Sequence, residues 1–336
     1  MADLDLTDVA GMTSALVDID STTGREGEVV EWVRTLLSRA GYDVVEQVVE
    51  GPRRNLLAGS GKADVVFSTH LDCVPPFFAS RREGARLFGR GSCDAKGAVA
   101  SQIAALEKLR REGIRNVGVL FVVGEERGSD GARVAEKLAC GSKFLVNGEP
   151  TENRLGVATR GILRVNLRAR GRAAHSSYPE LGESAIDKLV DALVALREVP
   201  LPDDQLMGRT HYTVGVINGG VAPNVVPPSA QAEVMFRTVG DLPALRRALS
   251  SLGPNVDVEE VLEVPPVTMP SVPGFDTATF PYTTDIPFLT SWGTPLLFGP
   301  GSIHVAHTDQ EHIDISDLEA AVDGYLRLAK HLLSEG

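Results

Sequence analysis

The sequence is short of cysteine, of basic charge and of long apolar runs, and each shortage removes a class of function. Cys73, Cys93 and Cys140 form an odd set with no CxxC spacing. That excludes a disulfide framework and suits a reducing compartment. Lys and Arg number 33 against 45 Asp and Glu, a formal net charge of -12. No broad positive field is left to hold phosphate backbones or an anionic membrane surface, so neither nucleic acid nor membrane is an expected partner. No stretch approaches the roughly 20 apolar residues of a membrane helix. The first twenty residues are acidic and lack the basic start and apolar run of a secretory signal, so a cytoplasmic location is expected.

What is present is an ordinary globular composition, 43% hydrophobic over 336 residues, long enough for one large and one small domain. Thr23 to Ala40 carries a helical stripe of Val29, Val33, Leu36 and Leu37 that stops at Gly41. Asp64–Thr69 (DVVFST) and Val117–Val123 (VGVLFVV) are short apolar runs of the kind buried on both faces of a mostly parallel sheet. Val99, Ile103 and Leu106 mark a helix between them that begins just after Asp94. The order predicts an α/β domain, a mostly parallel mixed sheet flanked by helices. From Ile162 an alternating strand is followed by a helix with Ile186, Leu189, Val190 and Leu193 on one face. Strands near Tyr212–Val216 and Ala230–Arg237, another helix and another strand complete a βαββαβ order, read as an inserted α+β, ferredoxin-like unit. The expected division is 1–160 and 267–336 for a discontinuous catalytic domain and 161–266 for the insert. Ser316 with Glu319 predicts a capping box opening a last helix, whose Leu318, Val322, Tyr325 and Leu326 return to the first core.

Acidic and histidine residues gather at the C-terminal ends of these apolar strands, the edge where α/β sheets bind ligands. In order they are His70 and Asp72, Asp94, Glu125 and Glu126, Glu149, and His307. A mixed nitrogen and oxygen set suits zinc, with cobalt or manganese as alternatives. Two ions roughly 3.5 to 4 Å apart need about five ligands with one carboxylate shared between them, and Asp94 is the choice for that bridge. His70 and Asp72 project to the same side of an extended chain, so Asp72 can accept the second ring N–H of His70 and fix its tautomer. Adjacent Glu125 and Glu126 point in different directions, so one can hold metal while the other stays free. The free one, assigned as Glu125, can take a proton from the attacking water and return it to the departing amine.

The segments STHLDCVP, GRGSCDAKG, VVGEERGSDGA, NGEPTE, GRAAHSSYPE and GPGSIHVAHT, in this order across residues 68 to 308, resemble the dinuclear-zinc family of acetylornithine deacetylases, succinyl-diaminopimelate desuccinylases and aminoacylases. The resemblance implies metal ligands at His70, Asp94, Glu126, Glu149 and His307, with Asp72 as orienter and Glu125 as base. It also implies a zinc-exopeptidase-like fold whose smaller domain is a lid that dimerises. The lid's His175 would donate to the oxyanion of the tetrahedral intermediate, in its own subunit or the partner's. Asn224 and Arg237 match lid positions that touch substrate, and an arginine fork suits a carboxylate; Arg160 and the turn Gly299 to Gly301 are further candidates. The expected substrate is a small N-acyl amino acid, closest to that of acetylornithine, acetyl-lysine or acetyl-citrulline deacetylases of amino-acid biosynthesis. A succinyl-diaminopimelate desuccinylase, a dipeptidase or carboxypeptidase on the same scaffold, and a non-catalytic binding relative are the rivals.

Other residues have plainer readings. Glu152 competes with Glu149 for the same ligand position. His304 and His312 read as loop residues, His211 and His331 as structural. Cys73 and Cys93 read as small packing residues. Lys96 and Gly97 are expected to start the helix after Asp94, where glycine permits close backbone approach.

Overall fold

The computed structural model describes residues 5–59, 61–254 and 256–335; Met1–Leu4, the start of the acidic stretch, lie outside them. By its internal packing the chain forms two units: Met1–Val157 with Met269–Ala278 and Thr284–Gly336, and Ala158–Thr268 with Thr279–Thr283.

The first unit opens with helices α1 (Val9–Val17) and α2 (Gly27–Arg39). α2 buries Val29, Val30, Val33, Leu36 and Leu37. It ends where Gly41 takes φ +84° and the Tyr42 N–H closes on the Leu37 carbonyl at 3.1 Å, the left-handed cap the glycine predicts. Strands β1 (Asp43–Glu50), β2 (Arg53–Gly59) and β3 (Val65–His70) follow, then α3 (Lys96–Arg111), β4 (Val117–Val122), α4 (Asp130–Ala135) and β5 (Phe144–Asn147). Every residue of β3 and β4 is buried, which explains their unbroken apolar composition.

The second unit supplies β6 (Gly161–Arg170), α5 (Ala185–Leu196), β7 (His211–Gly219), β8 (Ser229–Thr238), α6 (Leu242–Ser250) and β9 (Val256–Val264). Its sheet runs in the order β7-β8-β6-β9, antiparallel throughout, the ferredoxin-like order that βαββαβ implies. β6 alternates cleanly, with Leu163, Val165, Leu167 and Ala169 inside and the intervening Arg and Asn side chains outside. One expectation needs correction here. On α5 the buried stripe is Ala185, Leu189, Ala192 and Leu196, whereas Ile186 and Val190, expected on one face with Leu189 and Leu193, are exposed together with Val194. The helix is apolar on two sides, and periodicity alone does not say which side meets its own sheet.

The first unit is completed by β10 (Thr294–Leu297) and α7 (Ile315–Glu335). Its sheet has nine strands, six of them in the order β1-β2-β4-β3-β5-β10, with β4, β3, β5 and β10 parallel and the β1–β2 hairpin antiparallel at one edge. α7 buries Leu318, Val322, Tyr325, Leu328 and Leu332, each stabilising by roughly 1.5–3 kcal/mol if fully withdrawn from water. Ser316 does not cap it: the helix begins at Ile315, because the strand His312–Asp314 leads straight in and the Ile315 N–H is already bonded to the Ala85 carbonyl at 2.9 Å.

Candidate metal centre

The C-terminal ends of β3, β4, β5 and β10 point the same way, so the loops after them converge. His70 is the last residue of β3, Glu125 and Glu126 follow β4, Glu149 follows β5, and His307 lies in the loop after β10. Asp94 immediately precedes Ala95 at the start of α3. There Gly97 is required as expected, since a Cβ on it would lie 2.5 Å from the Ser92 carbonyl oxygen.

Two triads result. Ligand atoms of His70, Asp94 and Glu149 lie within 4.8 Å of one another, and so do those of Asp94, Glu126 and His307. Asp94 belongs to both: Oδ1 is 3.0 Å from His70 Nε2 and Oδ2 is 3.4 Å from His307 Nε2. Glu126 Oε1 is 3.0 Å from His307 Nε2, and Glu149 Oε2 is 4.0 Å from His70 Nε2.

The electrostatics are those of a site short of positive charge. Burial pushes Glu149 and Glu126 up from the usual carboxylate range, and the Asp94 charge adds to both. Hydrogen bonding to Asp94 and then Glu126 raises His307 to about 10. Burial pulls His70 down, yet Asp72 and Asp94 together hold it well above the ordinary imidazole value. Glu149 Oε1 is buried with no hydrogen-bond partner, an arrangement costly for a bare carboxylate. Two imidazoles and three carboxylates, one shared and one with an orphaned oxygen, fit a pair of divalent cations.

Asp72 does more than the sequence expectation gives it. The His70 Nδ1 contact at 3.0 Å is to the main-chain carbonyl of Asp72, with the carboxylate farther off at 3.5 Å. That carboxylate also accepts the Thr23 hydroxyl at 2.8 Å and the N–H groups of Gly124, Glu125 and Glu126 at 2.9, 3.1 and 3.2 Å. It therefore sets the backbone that presents the two glutamates. From the other side Arg53 spans Glu26 and Asp130, and Asn55 binds the Val123 N–H and the Gly131 carbonyl. Glu125 itself makes no side-chain hydrogen bond or ion pair among the described residues, and burial followed by the opposing pull of His70 and the push of Glu149 and Asp285 leaves it well above the usual range.

The remaining candidates sort plainly. Glu152 pairs with Arg154 and accepts the Ser302 hydroxyl, outside both triads. His304, Cys73 and Cys93 are also outside them. His312 bonds the Gln310 carbonyl and His331 pairs with Glu335. Gly301 is buried, and a Cβ there would meet Cys93 Sγ at 2.6 Å, so it packs against the Asp94 loop. In the second unit the Ser176 N–H bonds the Asn224 carbonyl at 3.0 Å, which brings the loops of His175 and Asn224 together. Arg160 contacts His211 Nδ1 and the Met207 carbonyl, both at 2.6 Å, and Arg237 is paired with His211 across β7 and β8. Burial, then Arg160 and Arg237, lowers the His211 pKa. Arg237 has no ion-pair partner among the described residues.

Residues 66–331 match the model of peptidase family M20/M25/M40. This chain belongs to the M20 family. A peptidase M20 domain-containing protein of Schizosaccharomyces pombe is 38% identical over 95% of this chain and 83% of its own length. A probable carboxypeptidase of Aspergillus clavatus is 36% identical over 95% of this chain and 87% of its own. The fold is that of a tripeptidase from Staphylococcus aureus, with a TM-score of 0.82 over 98% of this chain and 99% of that one at 19% identity. As an M20 protein the chain is a metal-dependent hydrolase of amide bonds.

The sequence did not single out Arg53, Asn55, Asp285 or Glu311, and it set His211 aside as structural. Asp285, 1% exposed, is raised to about 6 by burial; the Ser129 hydroxyl offsets part of this, although neither carboxylate oxygen makes a well-formed hydrogen bond. The available signal was a carboxylate set in the apolar context Ile286-Pro287-Phe288-Leu289.

Proposed function

We propose that this M20 hydrolase removes the acyl group, acetyl first, from the nitrogen of a small amino acid of the ornithine, lysine or citrulline type. The observation that carries the reading is the unpaired Glu125 carboxylate beside two triads that share Asp94. Two divalent cations, zinc by preference, would be held by His70, Asp94 and Glu149 and by Asp94, Glu126 and His307, supplying Lewis acidity toward the scissile carbonyl and toward water. Glu125 takes the proton of the attacking water on a carboxylate oxygen and delivers it to the departing amine nitrogen. The raised proton affinity that burial gives it suits both steps at neutral pH. His175 is assigned as donor to the oxyanion, worth about 10²–10³ in rate at comparable sites. The products are a carboxylate and a free amine.

Arg160, His211 and Arg237 support a substrate with a free carboxylate, because two guanidinium groups beside an imidazole leave a surplus of donors that a carboxylate matches. The net charge of -12 favours an ammonium-bearing substrate over a dianion. The carboxypeptidase reading is favoured by the relative in Aspergillus clavatus; its substrate also carries a carboxylate next to the cleaved amide. We further infer self-association through the second unit. The exposed stripe Ile186, Val190 and Val194 and the exposed Val216 and Ile217 of edge strand β7 support it, since such surfaces favour burial against a copy.

Amine release by the zinc-loaded protein decides the substrate. Acetyl, succinyl and formyl derivatives of ornithine, lysine, citrulline and diaminopimelate are compared with dipeptides. Higher kcat/KM on acetyl amino acids is expected. Preference for dipeptides establishes the carboxypeptidase reading, and no turnover by protein holding two ions rejects both.

A further inference from the structure

One fully enclosed carboxylate outside the triads lies against the loop that carries the shared one. Glu311 is 0% exposed and lies four residues after His307. Its Oε1 accepts the main-chain N–H groups of Gly91, Cys93 and Asp94 at 3.0, 3.2 and 3.1 Å, and its Oε2 receives Arg90 Nη1 at 2.5 Å. Its own carbonyl accepts the Gly89 N–H at 3.1 Å.

The segment from Gly89 to Asp94 belongs to no strand or helix, so no ladder fixes it. Three N–H groups converge on one oxygen instead, a backbone concavity that takes an anion; here the anion is a side chain of the same protein. With its N–H tied down, Asp94 leaves the backbone from a defined point, and its two oxygens divide between His70 Nε2 and His307 Nε2. Because His307 and Glu311 share one loop, the same carboxylate also ties the Asp94 loop to the His307 loop. A carboxylate shared by two cations must be placed to within about 0.5 Å.

We infer that Glu311 is a positioning residue that preorganises Asp94 against His307 and thereby determines how tightly the second cation is bound. This rests on the two-cation reading of the triads. Its four donors require a full carboxylate: the amide of Glu311→Gln would turn an NH2 group toward Arg90 or toward the three N–H groups.

The test is metal binding by the zinc-loaded protein in competition with a chelator, together with the spin coupling of the two-manganese form. In Glu311→Gln we expect the second ion at least about 10-fold weaker, the first nearly unchanged, the spin coupling lost, and kcat lowered with KM within about twofold. Wild-type affinity for both ions with intact coupling overturns the inference. If that variant does not fold, Glu311→Asp, one methylene shorter, is expected to give the same losses and overturns it by binding both ions normally. If neither folds, amide exchange of the wild type decides. The Gly91, Cys93 and Asp94 N–H groups should stay protected when zinc is chelated, and their release would show that metal, not Glu311, holds the loop. These readings need no substrate, so a wild type that binds two ions but cleaves no amide rejects the proposed reaction without touching this one.

Discussion

Half-buried Glu125 and fully buried Asp285 are both acids with raised proton affinity, but they lead to different expectations. Glu125 faces the triads and carries no partner, so Glu125→Gln should lower kcat by about 10²–10⁴ while two zinc ions remain, measured by elemental analysis beside the amine assay. Retained turnover would remove Glu125 from its role. Asp285 is raised from 3.8 to about 6, first by burial. An acid whose folded pKa exceeds its unfolded one favours the folded state below the unfolded value, and this contribution is lost as pH rises through the folded value. Asp285→Asn removes that dependence, so the metal-free variant should match wild type below pH 4 and exceed it by on the order of 2–3 kcal/mol at pH 8. Identical urea midpoints at both pH values would assign the titration elsewhere.

The turn between β4 and α4 shows how secondary structure becomes chemistry. β2 sends Arg53 and Asn55 into it, Asp72 receives its three leading N–H groups, and the two glutamates are displayed between these supports. Arg53 is 7% exposed, and its partner Glu26 is fully buried. Arg53→Met therefore leaves a buried charge unpaired and should cost about 3–5 kcal/mol. Adding Glu26→Gln should recover part of that loss in denaturant titrations; a double variant no more stable than the single one would deny the pairing its role. The strand ends were legible because unbroken apolar runs have few alternatives to a parallel sheet covered on both faces. The start of α7 was not, because a local capping pattern at Ser316 and Glu319 is overruled by a strand that delivers the chain two residues earlier.

Each unit has a separate task. The first assembles the triads entirely from its own residues, although β10 and His307 come from the far side of the inserted unit in sequence. The second has a complete antiparallel sheet and an apolar surface left over. On the proposed self-association, Val190→Lys with Val194→Lys should keep that unit folded, since both side chains are exposed, and leave only monomer in sedimentation. A dimer surviving both charges would place the interface elsewhere.

The sequence alone singled out which apolar runs end in His or carboxylate, and the resemblance picked from among them and from the Asp94 loop the residues that the fold brings into two triads. Those are local patterns, readable because side-chain period and burial are coupled along a strand. Tertiary structure alone decided that the Asp72 carboxylate serves the glutamate turn, that Arg53 clamps it, and that Glu311 fills the concavity beneath Asp94. A polar side chain buried far along the chain from its donors has no periodic signature. Its partners exist only once folding has brought distant N–H groups to a common point, and the need to satisfy them there is what selects the residue.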